Sequence, residues 1–251
     1  MTRTGTSPAR AVLRTETRLF LREPGSLFWI MAFPVLLLLI LGSIPTFREP
    51  AEDLGGQRVI DLYVPITILL ATIMGSVQSM PAVLSAYREQ RILRRIATTP
   101  ARPWHLLAAQ YVLHGAAVVI GAVVVLIVGR LVLDVGIPGS PAAYLTVLSL
   151  ALLASLAVGG VVSGVARNTK MSATLGTVVF IPMMFTSGVW LPVQAMPGLL
   201  RDVVELTPLG AASVALDQAA LGSWPHLQHV VVLLCWVFGL GALAARYFRW
   251  E

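Results

Sequence analysis

Few residues in this 251-residue chain are of the kinds that make or break bonds. His226 and His229 stand three apart, about one helical turn, a spacing at which two imidazoles can converge on a metal ion. No acidic residue lies near them in the sequence, so an interfacial polar pair is the expected reading. Ser163 sits in GVVSG, which lacks the G-x-S-x-G spacing of a nucleophile elbow. The single lysine, Lys170 in ARNTKMS, follows no glycine loop, so the chain carries no P-loop for a nucleotide. Cys235 is the single cysteine, lies within an apolar run and has no partner for an internal disulfide. No catalytic residue and no metal ligand is assigned.

Arginine is where the chemistry gathers. YREQRILRRIATTPARPWHLLAAQ, residues 87–110, holds five arginines between two apolar runs. The chain is 57% hydrophobic and 12% charged, where a soluble domain carries about a quarter charged residues. Too little polar surface remains to cover a water-soluble globule, so lipid is the expected outer solvent. The net charge of +6 does not read as a nucleic-acid footprint. Its basic residues collect at the ends of apolar segments, and no nucleic-acid partner is expected.

The elements that must position these residues are helices. Six segments are long and apolar enough to span a bilayer, at about 26–46, 62–86, 105–133, 142–166, 171–191 and 227–248. The expected fold is an all-α integral membrane protein, one transmembrane domain over 1–251. Pro34 and Pro182 interrupt spans, and neighbouring helices can satisfy the backbone groups they free. Fourteen of the 18 lysines and arginines fall in the N-terminal segment, the second and fourth connections and the tail. Arg48, Arg58, Arg130 and Arg201 make up the alternate set, beside most of the acids. Both termini are therefore expected in the cytoplasm. The first apolar run starts after some two dozen polar and basic residues and lacks an A-x-A site, so it is expected to stay attached. Residues 192–225 are cut by Pro192, Pro197, Pro208 and Pro225 into pieces too short to cross, and Arg201, Asp202 and Glu205 stand together there. Two short amphipathic helices at the outer surface, or dipping into it, are expected.

In SPARAVLRTETRLFLREPG, Arg10, Arg14, Arg18 and Arg22 recur every four residues, while Val12, Leu13, Leu19 and Phe20 gather on another face. An interfacial helix over 1–25, lying along the lipid of the inner leaflet, fits this pattern; so does a cluster that merely fixes topology. Gly160 and Gly164 have the G-x-x-x-G spacing of helix packing. The middle thirds of the six spans contain no Asp, Glu, Lys or Arg, and His114 lies towards the inner end of the third. A proton or ion relay is not supported.

Within 87–110, Leu93, Ile96 and Ala97 share a helical face that Arg91, Arg94 and Arg95 flank, and Pro100 and Pro103 stop the helix. An apolar ridge with basic flanks suits a groove in a soluble protein; positive-inside charge on a lipid-hugging helix accounts for the same residues. The order of features resembles the permease subunits of type-2 ABC transporters, the ABC-2 membrane family that includes the daunorubicin-resistance exporters. FLREPGSLFWIMAFPVLLLLILG is similar to the family's approach to its first span. EQRILRRIATTP, residues 89–100, is similar to the family pattern E-x-G-T-L-x-x-L-x-x-[ST]-P. Glu89, Leu93, Ile96, Thr99 and Pro100 match it, whereas Arg91 and Ile92 replace the usual Gly-Thr. TSGVWLPVQAMPGLLRDVVELTPLGAASVAL is similar to the family's outer loop.

The resemblance implies that 88–100 is a coupling helix docked on an ABC ATPase through Glu89, Arg91, Leu93, Arg94, Arg95, Ile96, Thr99 and Pro100. It implies ATP and Mg on that partner, no cofactor on this chain, and a second permease copy in a homodimer or heterodimer. The second and fifth spans would then face the dimer axis. Ser76, Gln78, Ser79, Phe180, Met183, Met184, Phe185 and Thr186 become the candidate lining of a pathway. The implied function is the membrane-spanning subunit of an ATP-driven exporter in a bacterial cell membrane. It would move a hydrophobic or amphipathic, drug-like or lipid-like molecule outward and would not itself be an enzyme. An ATP-independent carrier or channel, or a scaffold that moves nothing, is the alternative reading.

Overall fold

Proline and glycine decide how these helices bend and how closely they approach. The computed structural model describes residues 7–54, 56–92 and 103–247. Among them all regular structure is helical, apart from one isolated bridge between Pro50 and Arg58. Helix α1 is Pro8–Phe20, α2 is Pro24–Gly42, α3 is Val59–Glu89, α4 is Pro103–Leu133 and α5 is Pro141–Val165. Then come α6, Thr169–Thr186; α7, Gly198–Glu205; α8, Pro208–Ala220; and α9, Leu227–Tyr247.

Five helices, against the six spans expected, are long and apolar enough to cross a membrane: α2, α3, α4, α5 and α9. The segment expected as the fifth span, 171–191, is occupied by α6, which has 18 residues. That is about 27 Å at 1.5 Å per residue. Thr169, Lys170, Thr174 and Thr177 fill its early turns and dilute its apolar character.

A proline ring in a helix collides with the carbonyl four residues back. In α2 and α3 the backbone answers with a π turn just ahead of the ring: Phe28–Ala32 before Pro34, and Met74–Ser79 before Pro81. The widened turn shifts the bonding register, so that Phe33 N–H reaches Phe28 O and Met80 N–H reaches Gly75 O.

The carbonyls of these two turns are also where neighbouring helices come closest. Gly121 of α4 faces Ile30 O, and a Cβ there would lie 3.1 Å from it. Gly176 of α6 stands in the same relation to Val77 O, again at 3.1 Å. Gly159 of α5 is tighter still: any Cβ would overlap Ser76 O. Glycine therefore serves here to bring Cα–H groups onto bent carbonyls. Gly160, beside it, leaves room for the Tyr111 hydroxyl of α4 and Ala244 of α9.

Helix α3 is the axis of the fold. Ile66, Ile68, Leu69 and Ile73 are buried in one core with Leu38 of α2, Val125 of α4, Val147 and Ala151 of α5, and Leu209 and Ala212 of α8. Helix α8 corrects the expectation of surface helices in 192–225. Only α7 lies outside, with Leu199 and Val203 exposed. Helix α8 is buried almost throughout from Pro208 to Asp217. Gly210, Ala211, Ala212, Ser213 and Ala215 give it the narrow cross-section to sink among α3, α5 and α9. Its C-terminal carbonyls are met by the α4–α5 loop, through Gly139 N to Ala220 O at 2.9 Å and Ser140 N to Ala219 O at 3.0 Å.

This arrangement generates a first prediction. Gly159→Ala forces α3 and α5 apart and destabilises the protein by about 1–3 kcal/mol, the range for overpacking. Gly239→Ala, at a position whose added Cβ meets nothing within 4 Å, is neutral or slightly stabilising through helix propensity. Thermal unfolding of the detergent-solubilised protein measures both. Equal melting temperatures for the two variants would contradict the close approach.

Candidate coupling and pathway site

The C-terminal end of α3 is held by its last two charged residues. A helix leaves carbonyls unpaired at its C-terminus and N–H groups unpaired at its N-terminus. The Arg88 guanidinium donates to Ser163 O at 3.1 Å and to Ala166 O, at the end of α5. The Glu89 carboxylate accepts from Thr169 N at 2.9 Å and from Thr169 Oγ1 at 3.0 Å, at the start of α6. Cation on a C-terminus and anion on an N-terminus complement both macrodipoles. Asn168 completes the α6 cap by accepting from Met171 N at 2.7 Å.

Glu89 is thus the last residue of α3 rather than part of a separate coupling helix beginning at 88. Arg91 follows in the left-handed region, with φ of 56°, and turns the chain. Ile92 is helical again. Leu93, Arg94, Arg95, Ile96, Thr99 and Pro100 lie outside the described residues.

Helix α1 lies against α4, its arginine stripe outward: Arg10, Arg14, Arg18 and Arg22 are all exposed. Its inner face differs from the apolar set expected. Leu19 is exposed, and the buried residues are Phe20 and Glu16. Glu16, only 7% exposed, accepts from Tyr87 Oη at 2.9 Å and from Gln110 Nε2 at 2.7 Å. Phe20 stands edge-on to His114, with ring centroids 5.1 Å apart. His114 continues the polar cluster to Gln110 O at 3.0 Å and to Ser79 Oγ at 3.1 Å, and Ser79 bonds Ser26 at 2.7 Å. Sequence reading missed Glu16, which sits among charged residues in RTETR and finds its partners 71 and 94 residues away.

A groove of about 440 Å³ opens beside Ser26 and Ser79, lined also by Glu23, Trp29, Met74, Gln78, Ala82 and Phe180. Gln78, Ser79 and Phe180 of the expected pathway set meet there. The others do not. Ser76 is fully buried, donates to Thr72 O at 2.6 Å and backs onto Gly159. Met183 is buried, and with Thr186 it lines a separate apolar groove of about 420 Å³ with Val162 of α5, Pro208 of α8 and Trp236 of α9. Met184 is half-buried against the core. Phe185 is exposed, on a face of α6 shared with Val178 and Ile181.

At the outer end, His229 is not without an acid. Its Nε2 lies 3.0 Å from Glu205 Oε2, while Arg201 Nε donates to Glu205 Oε1 at 2.7 Å. Burial works against ionisation of Glu205, but the hydrogen bonds from His229 and Arg201 outweigh it and hold its pKa low. No metal-binding group of three or more His, Cys, Asp or Glu occurs among the described residues.

Burial raises the Glu16 pKa above the usual carboxylate value, against the opposing pull of the Tyr87 and Gln110 hydrogen bonds. The folded state therefore holds the proton more tightly than the unfolded one. Its contribution is fully present below the ordinary carboxylate range and is lost as pH rises through the raised value. Amide exchange over residues 8–20, corrected for intrinsic rate, should slow at acid pH, and Glu16→Gln should abolish that dependence. The same pH dependence in the Gln variant would assign it to another group.

The family described as ABC-2 type transporter matches this chain over residues 9–219. The chain is 19% identical over 238 residues to a Bacillus subtilis (strain 168) relative named as a transport permease, YvfS, covering 93% of this chain and 94% of that protein. It is 28% identical over 175 residues to the inner membrane transport permease YhhJ of Escherichia coli (strain K12). That match covers 69% of this chain and 44% of YhhJ, so the chain spans under half the length of that relative. Five helices of membrane length and a family match over most of the sequence lead to one conclusion: the chain belongs to the ABC-2 type transporter family of membrane transport permeases.

Proposed function

We propose that this chain is the membrane subunit of an ATP-driven exporter and works with separate ATPase subunits in the cytoplasm. The observation that carries the reading is the build of the α3 inner end. Arg88 and Glu89 bind it to both ends of the α5–α6 connection, and the α3–α4 connection begins directly after it. A push on residues 92–102 would reach α3, α5 and α6 together. The chain has no P-loop, so ATP and Mg would be held by the partner. The arginine and lysine distribution supports a cytoplasmic position for this connection and both termini, with α6 as a sixth span.

Two copies would meet across the exposed face of α6 and the neighbouring groove. That groove has aromatic walls, Trp29 and Phe180, with Gln78 and Glu23 as polar groups. It suits a hydrophobic or amphipathic cargo, drug-like or lipid-like.

Two measurements test the proposal. Co-expressed with its ATPase partner, Leu93→Asp or Ile96→Asp should abolish co-purification or uncouple hydrolysis from transport. Intact assembly and transport in both variants would sink the docking role. In a Cys235→Ala background, Phe185→Cys and Val178→Cys should cross-link between copies, and the half-buried Met184→Cys should do so less. Cross-linking from Phe238→Cys on α9, with none from α6, would put the interface on the wrong helix.

A further inference from the structure

The hydrogen bonds leading to Glu16 have a direction. His114 Nδ1 faces Gln110 O, a carbonyl that can only accept. Nδ1 therefore carries a proton, and in the neutral imidazole Nε2 is an acceptor. Its neighbour, Ser79 Oγ, must donate to it. With that proton committed, Ser79 Oγ accepts from Ser26 Oγ. Gln110 Nε2 and Tyr87 Oη both donate to Glu16 Oε2. From Ser26 to His114, and from His114 through the Gln110 residue to Glu16, each donor points away from the groove. The arrangement requires a neutral His114, which is fully buried.

The ends of this chain of bonds stand in two different places. Tyr87 is in the last turns of α3 and Gln110 in the early turns of α4, so Glu16 grips both flanks of the 93–102 connection. Ser26 and Ser79, at the other end, line the groove between α2 and α3. Apolar side chains can slide past one another at little cost. Buried polar groups cannot, because each lost bond leaves a donor or acceptor unpaired away from water.

We propose that Glu16 is a positioning residue that makes α1, the flanks of the α3–α4 connection and the lip of the groove move as one body. Displacement of the connection thereby reaches the groove through Gln110, His114, Ser79 and Ser26. The inference rests on the ATPase-driven reading above. It adds that the interfacial helix is a working part of the transmission as well as a membrane anchor. Gln at position 16 keeps a carbonyl oxygen to accept both bonds, whereas Leu keeps none.

The test follows the accessibility of one groove residue. Ala82→Cys, in a Cys235→Ala background and assembled with the ATPase in proteoliposomes, is labelled with a polar maleimide with and without ATP. The rate should change with ATP in the parent and in Glu16→Gln. It should lose that change in Glu16→Leu and in Ser79→Ala, with co-purification of the ATPase confirming assembly. Ser79→Ala removes a single hydroxyl and carries the test if Glu16→Leu fails to assemble. An ATP-dependent change of parental size in Ser79→Ala, or in an assembled Glu16→Leu complex, overturns the link while leaving the transport reading intact. Absence of any change in the parent overturns both.

Discussion

A backbone in hydrocarbon must find its hydrogen-bond partners within the chain, and α3 meets that demand while carrying two prolines, Pro65 and Pro81. Pro81 would press on a carbonyl one turn back, and the π turn at Met74–Ser79 moves that carbonyl aside. The relocated carbonyls of Ser76 and Val77 would be poorly served by bulky neighbours. Gly159 and Gly176 reach them from two different helices, and Gly121 does the same for Ile30 O in the matching turn of α2. Three glycines and two prolines thus form one device. The prolines fix where the helices widen, and the glycines fix which neighbours approach there. The placement of α5 and α6 against α3, and of α4 against α2, follows from those contacts.

The parts of this fold that were legible in the sequence depend on local pattern. Apolar runs and the drift of arginine along the chain depend on neighbours in sequence, and helices occupy those runs. What failed depended on distant partners. Glu16 reads as a solvated residue among arginines because nothing nearby announces Tyr87 or Gln110. His229 reads as acid-free because Glu205 approaches through the fold of the outer loop. Helix α8 reads as a surface piece because it is short and proline-bounded. Its run of glycine, alanine and serine was the available signal that it could be enclosed. The two π turns were not legible either, since Pro34 and Pro81 each follow one while Pro65 and Pro182 sit in regular α-helix.

Charge at the inner end is used on two scales. Over the whole chain, arginine surplus favours a cytoplasmic position. Locally, Arg88 and Glu89 answer the unpaired groups of α5 and α6 and so fasten three helices together. Arg91 then adopts a conformation that costs an L-residue roughly 1–2 kcal/mol, where the resembled family pattern carries glycine. The turn is therefore kept by its surroundings, with α3 ended at Glu89 and the helical geometry resumed at Ile92. An arginine in that place gives up backbone ease and adds positive charge to the connection.

Helix α1 is bound to two frames at once. On the reading proposed above, its exposed arginines would face lipid headgroups, an attraction that is non-directional and screened by salt. Its buried face is bound to α3 and α4 by hydrogen bonds that are directional and screened from water. The two kinds of attachment respond differently to motion of the bundle. Headgroups rearrange around a helix that shifts, so the arginine face yields. The Glu16 face does not, because moving away from α3 and α4 breaks its bonds with Tyr87 and Gln110. On that reading, when the ends of α3 and α4 that flank residues 93–102 move, α1 would follow the protein and slip against the lipid. The Glu23–Pro24 joint that leads from α1 into α2 would receive that motion directly, beside Glu23, Gly25 and Ser26 of the groove lining.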